Sequence, residues 1–362
     1  MTALVTGSTG FLGAAVVERL LAHGEGRIRC FARPSSDTTR LTALASAYGA
    51  DRVDVTVGNL QSAAAVERAL AGVDTVYHLA SAMRGAPGGI FLDTVVASKR
   101  LLDAIVACPV KRFVLVSSLS VYGLADAPVD RLVDESTTLE PHPELRDAYS
   151  HAKLRQELLV REHAARSGFE LVILRPGTLY GRGGPAFSPR LGLATAGWLL
   201  HFGGSNVLPL SHVSNCAEAV ALAGTSSRFA AGAYNVIDDD LPTAAEYVRR
   251  YKRDVRHIRS IRCPFFATML VSRWAERWHV SSRGQIPRVL TPYRTATVWR
   301  GHRFDNGKLR RAGWTQVVST REGLACAFDD LRARQHAASR TPAHHEASRV
   351  VSAGLPLPND AQ

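Results

Sequence analysis

Thr2-Ala3-Leu4-Val5-Thr6-Gly7-Ser8-Thr9-Gly10-Phe11-Leu12-Gly13 is the stretch from which the fold is read. Its first five residues are apolar or β-branched and uncharged, as in a strand covered on both faces of a parallel sheet. Val16, Val17, Leu20 and Leu21 then recur at helical spacing. Strand, glycine turn and helix follow one another without a gap. Glycines at such a turn permit a sharp bend, close approach of backbone to a phosphate and tight packing of helix on strand. A helix beginning near Phe11 adds its free amide groups and the positive end of its dipole. Dinucleotide contacts are therefore expected at Gly7, Thr9, Gly10, Phe11, Leu12 and Gly13, the alternative being an ordinary turn.

Outward from the turn, strand-like runs alternate with helical ones. Arg27–Ala32, Val53–Val57, Val73–Leu79 and Arg112–Ser117 read as strands, with helical stretches at Ala63–Leu70 and Thr94–Ala107. Strands separated by helices of this length predict a parallel sheet wound on both faces. At 362 residues, 46% hydrophobic and 21% charged, the chain can bury a large core. No run reaches the roughly 18 apolar residues that cross a bilayer, and no leader is expected ahead of a strand that starts at Thr2. Cys30, Cys108, Cys216, Cys263 and Cys326 are scattered, so neither disulfides nor a metal site is expected. The expected setting is a reducing cytoplasm.

The net charge of +12 is unevenly spread. Residues 249–311 hold 17 Lys and Arg against three Asp and Glu, a surplus of 14, whereas the rest of the chain nearly balances. No nucleic-acid module accompanies the charge, so nucleic acid is not an expected partner. A local basic surface facing an anionic substrate or a membrane is the better reading.

The end of the second strand discriminates between cofactors. An acid there accepts the ribose hydroxyls of NAD, whereas an arginine can pair with the additional phosphate of NADP. Phe31-Ala32-Arg33-Pro34-Ser35-Ser36 puts Arg33 in that place and delays the first acid to Asp37, so NADP is favoured over NAD. Ser117-Ser118 ends the fifth strand, at the sheet edge where ligands bind in such folds. Tyr149-Ser150-His151-Ala152-Lys153 follows on a helix, where a spacing of four sets Tyr149 and Lys153 about 5–6 Å apart at Cβ. A free phenol, with a pKa of about 10, is a poor base at neutral pH. A nearby ammonium favours the phenolate, and a serine hydroxyl can hold the reacting oxygen. Ser118, Tyr149 and Lys153 thus form a candidate proton-transfer set for interconverting alcohol and carbonyl.

Taken together, Thr6 to Gly13, Tyr77-His78-Leu79-Ala80-Ser81, Val116-Ser117-Ser118 through Val121-Tyr122-Gly123, Tyr149 to Lys153, and Leu174-Arg175-Pro176-Gly177-Thr178-Leu179-Tyr180-Gly181 resemble the extended short-chain dehydrogenase/reductase superfamily, in its NAD-dependent epimerase/dehydratase group. The likeness continues through Phe304-Asp305-Asn306, Gly313-Trp314 and Glu322-Gly323, so it spans about residues 1–333. It implies a Rossmann-type α/β core over residues 1–175, with a doubly wound parallel sheet. A smaller C-terminal substrate-binding lobe would occupy 176–333, with some core elements in it. It also implies cofactor contacts at Asn59, Leu60, Leu79, Ala80, Ser81, Ser117, Tyr149 and Pro176, with Lys153 on the nicotinamide ribose, and substrate contacts at Ser118 and Thr178. The expected activity is hydride transfer at a hydroxyl or carbonyl, of a nucleotide sugar or of a hydroxysteroid-like ketone or alcohol. A non-catalytic NADP-sensing regulator is a further alternative, and a second copy of the chain is an expected partner.

Departures from the family pattern narrow this. Asn59 stands where the family usually has an aspartate reading the adenine amino group, and Thr94-Val95-Val96-Ala97-Ser98 replaces Asn-Val-x-Gly-Thr. Sugar 4,6-dehydratases of the group carry an Asp-Glu pair after the catalytic hydroxyl residue, and Leu119-Ser120 cannot supply that acid and base. Ser211-His212-Val213-Ser214-Asn215 looks closer to the hydroxysteroid dehydrogenase branch, with His212 read as structural.

Between Pro264 and His279, Phe266, Leu270, Trp274 and Trp278 share one helical face, flanked by Arg273 and Arg277. Such a stripe packs on a core, or lies in a membrane interface as a peripheral contact through 264–279 at the inner membrane surface. The arginines alternatively face the site and pair with a substrate pyrophosphate. From Arg334 to Gln362 the chain lacks periodicity and reads as disordered.

Overall fold

The computed structural model describes residues 1–195, 197–282 and 290–340. Seven parallel strands make its central sheet: β1 (Thr2–Thr6), β2 (Arg27–Ala32), β3 (Val53–Val57), β4 (Thr75–His78), β5 (Arg112–Val116), β6 (Glu170–Pro176) and β7 (Gly232–Val236). Their spatial order is β7-β6-β5-β4-β1-β2-β3. The winding reverses between β1 and β4, so a crevice opens at the carboxyl ends of those two strands.

The apolar runs are continuous because both faces are covered. In β1, Ala3 and Val5 point to one layer, with α1 (Phe11–Ala22), α2 (Thr39–Tyr48) and α6 (Val213–Thr225). Leu4 points to the other, with α3 (Ala63–Leu70), α4 (Ala97–Ala107) and α5 (Ala148–Ser167). Strand alternation thus sorts neighbouring residues into two cores. Val16, Val17, Leu20 and Leu21, the helical set that follows the glycine turn, all lie in the first.

Beyond Pro176 the chain both leaves and returns to the sheet. β7 and α6 belong to the central body, whereas a three-stranded sheet orders Arg259–Cys263, Trp198–Phe202 and Gly192–Thr195 beside it. Helices α7 (Ala244–Asp254), α8 (Phe265–Ser281) and α9 (Pro292–Trp299) accompany that sheet. A third core joins Tyr180, Leu199, Tyr247 and Tyr251 to Phe328 and Leu331 of α10 (Thr320–Arg340).

Two expectations change. Residues 334–340 are helical, because α10 runs on to Arg340 with Leu331 and Phe328 anchoring it. The remainder of the stretch read as disordered, 341–362, lies outside the described residues. Burial of the α8 stripe is the second correction: Phe266, Leu270, Trp274 and Trp278 are exposed, while Thr268 and Ser272 turn inward. Arg283 and Arg288 of the basic segment fall outside the described residues.

Candidate functional site

The crevice is floored by the first glycine turn. Gly7 takes a φ of +70°, and a Cβ on it would lie 2.9 Å from the Ala80 amide nitrogen. A Cβ on Gly13 would lie 2.1 Å from the Gly7 carbonyl oxygen. These two glycines serve the bend and the packing. Gly10 is different: a Cβ there would meet only the Gly7 oxygen, at 3.2 Å, and the residue is exposed at the start of α1. No side chain caps α1, so its first amides remain available. An open position above uncapped amides is what a pyrophosphate fits.

The remaining predicted cofactor positions line the same edge. Leu79 donates its amide to the Thr6 carbonyl (3.2 Å) and Ala80 to the Thr6 hydroxyl (3.4 Å), which brings Leu79-Ala80-Ser81 against the turn. Phe11 and Thr9 are half-buried there, whereas Leu12 is in the core and offers only backbone. Arg33 follows β2 with its side chain exposed, 3.8 Å from the Asp93 carboxylate. Asp93 lies in the π-helical turn Leu92–Val96, a distortion that recurs at functional sites. Asn59 follows β3 and accepts the Gln61 amide (2.9 Å), and Leu60 packs against the second core. Pro176 closes β6, and Thr178 is half-buried just beyond it. Ser117 stands apart, because its hydroxyl turns inward and donates to Glu157 (2.6 Å).

At the end of β5 the chain folds into a single 3-10 turn, Leu119–Val121, whose capping residue is Ser118. The Ser118 oxygen accepts the Ser120 amide (3.1 Å). Asp147 caps α5 by accepting the Ser150 amide (3.0 Å), which fixes the helix start at Ala148, one residue before Tyr149. Lys153, one turn later, is buried. Its ammonium donates to the Val116 carbonyl (2.7 Å) and to Gln156 Oε1 (2.5 Å). Gln156 in turn donates to the Ser98 hydroxyl (2.7 Å). His78 bridges the Thr6 hydroxyl at Nδ1 (2.7 Å) and the Ser98 hydroxyl at Nε2 (2.8 Å). A buried polar relay therefore runs from the glycine turn to the lysine.

Burial governs the electrostatics here. It raises the Tyr149 phenol, although the Ser118 hydroxyl pulls the other way. It lowers Lys153 to about 7, with Glu157 opposing, and His78 to about 3, with the Lys153 charge adding to the effect. Burial alone would raise Glu157, but hydrogen bonds from Arg175 and Ser117 outweigh it and hold the carboxyl below its usual range. Arg175 reaches Glu157 Oε1 at 2.5 Å and lies 4.6 Å over the Tyr122 ring, so this pair braces the corner that carries Ser117 and Ser118.

A cluster of cations gathers beside the start of α5. Arg146 pairs with Glu140 (2.7 Å) and reaches the Tyr122 carbonyl (3.4 Å). Arg190 lies over the Phe304 ring at 5.5 Å, and burial together with the Arg146 charge lowers it to about 10. His302 is lowered by burial and by Arg190 and Arg300. Arg294 donates to the Arg146 carbonyl (2.8 Å), so the basic segment does reach this region.

Sequence reading missed Gln156, Glu157, Ser98, Arg146 and Arg190. Gln156 and Glu157 lie three and four residues after Lys153 on its helix, which was a usable signal, but polar residues at that spacing read equally as a solvated face. His212 caps α6, accepting the Ser214 amide (3.3 Å), and stacks edge-on against Tyr180. Asp238, first of three consecutive acids, accepts from Tyr180, His212 and Asn215 and is tied into the fold. Two recesses, of about 390 and about 310 Å³, are lined by residues such as Asp134 and Lys308 or Asp239 and Asn306; neither lining includes Ser118, Tyr149 or Lys153, although the second reaches His302 and Phe304.

A doubly wound sheet with a glycine turn at its switch point defines a nucleotide-binding α/β enzyme. The chain belongs to the NAD dependent epimerase/dehydratase family, whose model matches residues 3–236. It is an enzyme of the extended short-chain dehydrogenase/reductase type. It is similar to a 3beta-hydroxysteroid-dehydrogenase/decarboxylase of Arabidopsis thaliana, 26% identical over 91% of this chain and 79% of the relative. It also resembles an uncharacterized UDP-glucose epimerase of Bacillus subtilis, 32% identical over 50% of this chain and 57% of the relative. The fold matches the Thermus thermophilus UDP-glucose 4-epimerase solved with NAD, with a TM-score of 0.68, 21% identity and coverage of 92% and 99% of the two chains.

Proposed function

We propose that this enzyme is an NAD(P)-dependent oxidoreductase or epimerase acting on a hydroxyl or carbonyl group of a nucleotide sugar. Arg190 carries the substrate class. It is sunk against Phe304 with Arg146 nearby, and among the described residues no carboxylate pairs with it. A half-buried cation beside a second cation and without a counter-ion is held at a cost. A diphosphate would supply the missing charge in a form that guanidinium groups bind bidentately.

In this reading Tyr149 exchanges the proton of the reacting oxygen. Ser118 already accepts from the Ser120 amide, which leaves its own proton for that oxygen. Lys153 titrates close to neutrality, where a group gains and loses protons most readily, and its charge favours the phenolate. Gly10 and the uncapped amides of α1 would hold the pyrophosphate of a bound dinucleotide, whose nicotinamide would supply the hydride transfer. Arg33, exposed beyond β2 and followed by Ser35 and Ser36, favours NADP over NAD. Tighter binding of NADH than of NADPH would overturn that preference. Leu119 and Ser120 leave dehydration without its extra acid and base.

A second reading, oxidation or reduction of a hydroxysteroid-like substrate, is favoured by the Ser211–Asn215 stretch and by the breadth of the 3beta-hydroxysteroid-dehydrogenase/decarboxylase likeness. Purified protein incubated with each nicotinamide cofactor and a panel of UDP- and dTDP-sugars, beside sterols, separates the two. Product stereochemistry must be followed as well as cofactor absorbance, because epimerisation returns its hydride. Turnover of sterols with none of the sugars would reject the first reading.

A further inference from the structure

Helix α8 is built inside out. Its inward side is small and polar, with Thr268 and Ser272 almost fully buried beside α9, whose own Thr295 is also buried. Both hydroxyls are satisfied within the helix: Thr268 donates to the Pro264 carbonyl (3.1 Å) and Ser272 to the Met269 carbonyl (2.8 Å). The outward side is apolar apart from Arg273 and Arg277. Phe266, Leu270, Val271, Trp274, Trp278 and Val280 are each between 52% and 71% exposed. At 100° per residue, these six span about half the helix circumference, with Arg273 and Arg277 inside the same arc. Trp274 and Trp278 stack with ring centroids 4.2 Å apart, which makes the patch continuous. Soluble surfaces rarely leave so much contiguous apolar side chain uncovered.

Charge identifies the cover. On α8 itself the exposed Arg273 and Arg277 stand among the apolar side chains, against the single acid Glu276. Apposing two copies of this face would set those arginines against each other. An anionic lipid surface answers both properties at once, since tryptophan rings sit at headgroup depth and arginines meet the phosphates. Among the described residues no helix is long and apolar enough to cross a membrane. We propose that α8 lies in the interface of an anionic membrane, with its aromatic face towards the acyl chains, and holds the enzyme there as a peripheral protein. This goes beyond the reaction and does not depend on which substrate is turned over.

The test is flotation of the full chain with phosphatidylcholine vesicles, with and without phosphatidylglycerol, at low and high salt. The wild type is expected to float with the anionic vesicles only, and less at high salt. The double variant Trp274→Ser, Trp278→Ser should lose at least tenfold in the bound fraction while keeping its thermal midpoint and NADPH affinity. Because that variant retains every charge, equal flotation of variant and wild type would mean non-specific attraction and would overturn the proposal. So would failure of the wild type to float at low salt. Sedimentation velocity closes the remaining case: a wild-type dimer that the double variant converts to monomer would assign the face to a second copy instead.

Discussion

The Tyr149 phenol is pushed up by burial and by the Asp147 charge and drawn down by Ser118, so the proton-carrier role proposed for it leans on that serine. Tyr149→Phe deletes the hydroxyl and little else. We expect cofactor affinity to persist while turnover falls more than tenfold, a barrier increase above ~1.4 kcal/mol, and a variant with faster turnover would exclude the assignment. Gly10 tests the cofactor side. A Cβ at Gly10 meets only the Gly7 oxygen, which must give by a few tenths of an ångström, so Gly10→Val should fold with a modest stability loss and yet lose NADPH affinity by at least about tenfold, as read by cofactor titration. Gly13→Val should instead fail to fold, because its side chain would strike the Gly7 carbonyl. Equal NADPH binding by Gly10→Val and wild type would reduce the turn to a structural one.

Between elements, two couplings make further tests. Arg190 and Arg146, far apart in sequence, come close enough in the fold for their charges to act on each other. Arg190→Gln should raise KM for a phosphate-bearing substrate about tenfold with kcat nearly kept, the signature of lost uniform binding. A KM within twofold of wild type would remove this arginine from the substrate site. His78 links β1, β4 and α4 through Thr6 and Ser98. Its imidazole stays neutral down to about pH 3 in the folded chain, against an ordinary value of 6.5. Between those values the unfolded chain binds the extra proton, so stability falls as pH drops through the window. Denaturant titrations at several pH values should show His78→Gln losing less stability on acidification than wild type. Parallel curves would place the acid sensitivity elsewhere.

For the molecule as a whole, the C-terminal stretch Trp314–Val318 is fastened to α6 of the central body through Asn215. Its amide nitrogen donates to Asp238 (2.9 Å) and to the Val318 carbonyl (2.8 Å), and its oxygen accepts the amides of Val317 (3.0 Å) and Val318 (2.8 Å). Trp314, fully buried, donates its indole N–H to the Asn215 carbonyl (3.0 Å). Asn215→Ala strands several buried partners at once, so we expect a loss of about 3 kcal/mol or more in equilibrium unfolding. A change below about 1 kcal/mol would show that water replaces the amide.

The sequence by itself determined the parallel sheet, the glycine turn at its switch point and the spacing of Ser118, Tyr149 and Lys153. Each is a local signal: strand alternation, a turn that only glycine fits, and a helical interval of four. The support beneath Lys153 was not legible, because Thr6, His78, Ser98 and Gln156 come from four separate stretches and each alone reads as an ordinary polar residue. The same holds for Arg146, Arg190 and His302, which sequence separates and folding collects. In α8 the periodicity was right, and its direction, left open between a core and an interface, went against the core. Periodicity states which side chains share a face. Which face meets the protein is decided by what packs against it, and there the buried hydroxyls of Thr268 and Ser272 took the inward side and left the aromatics outside.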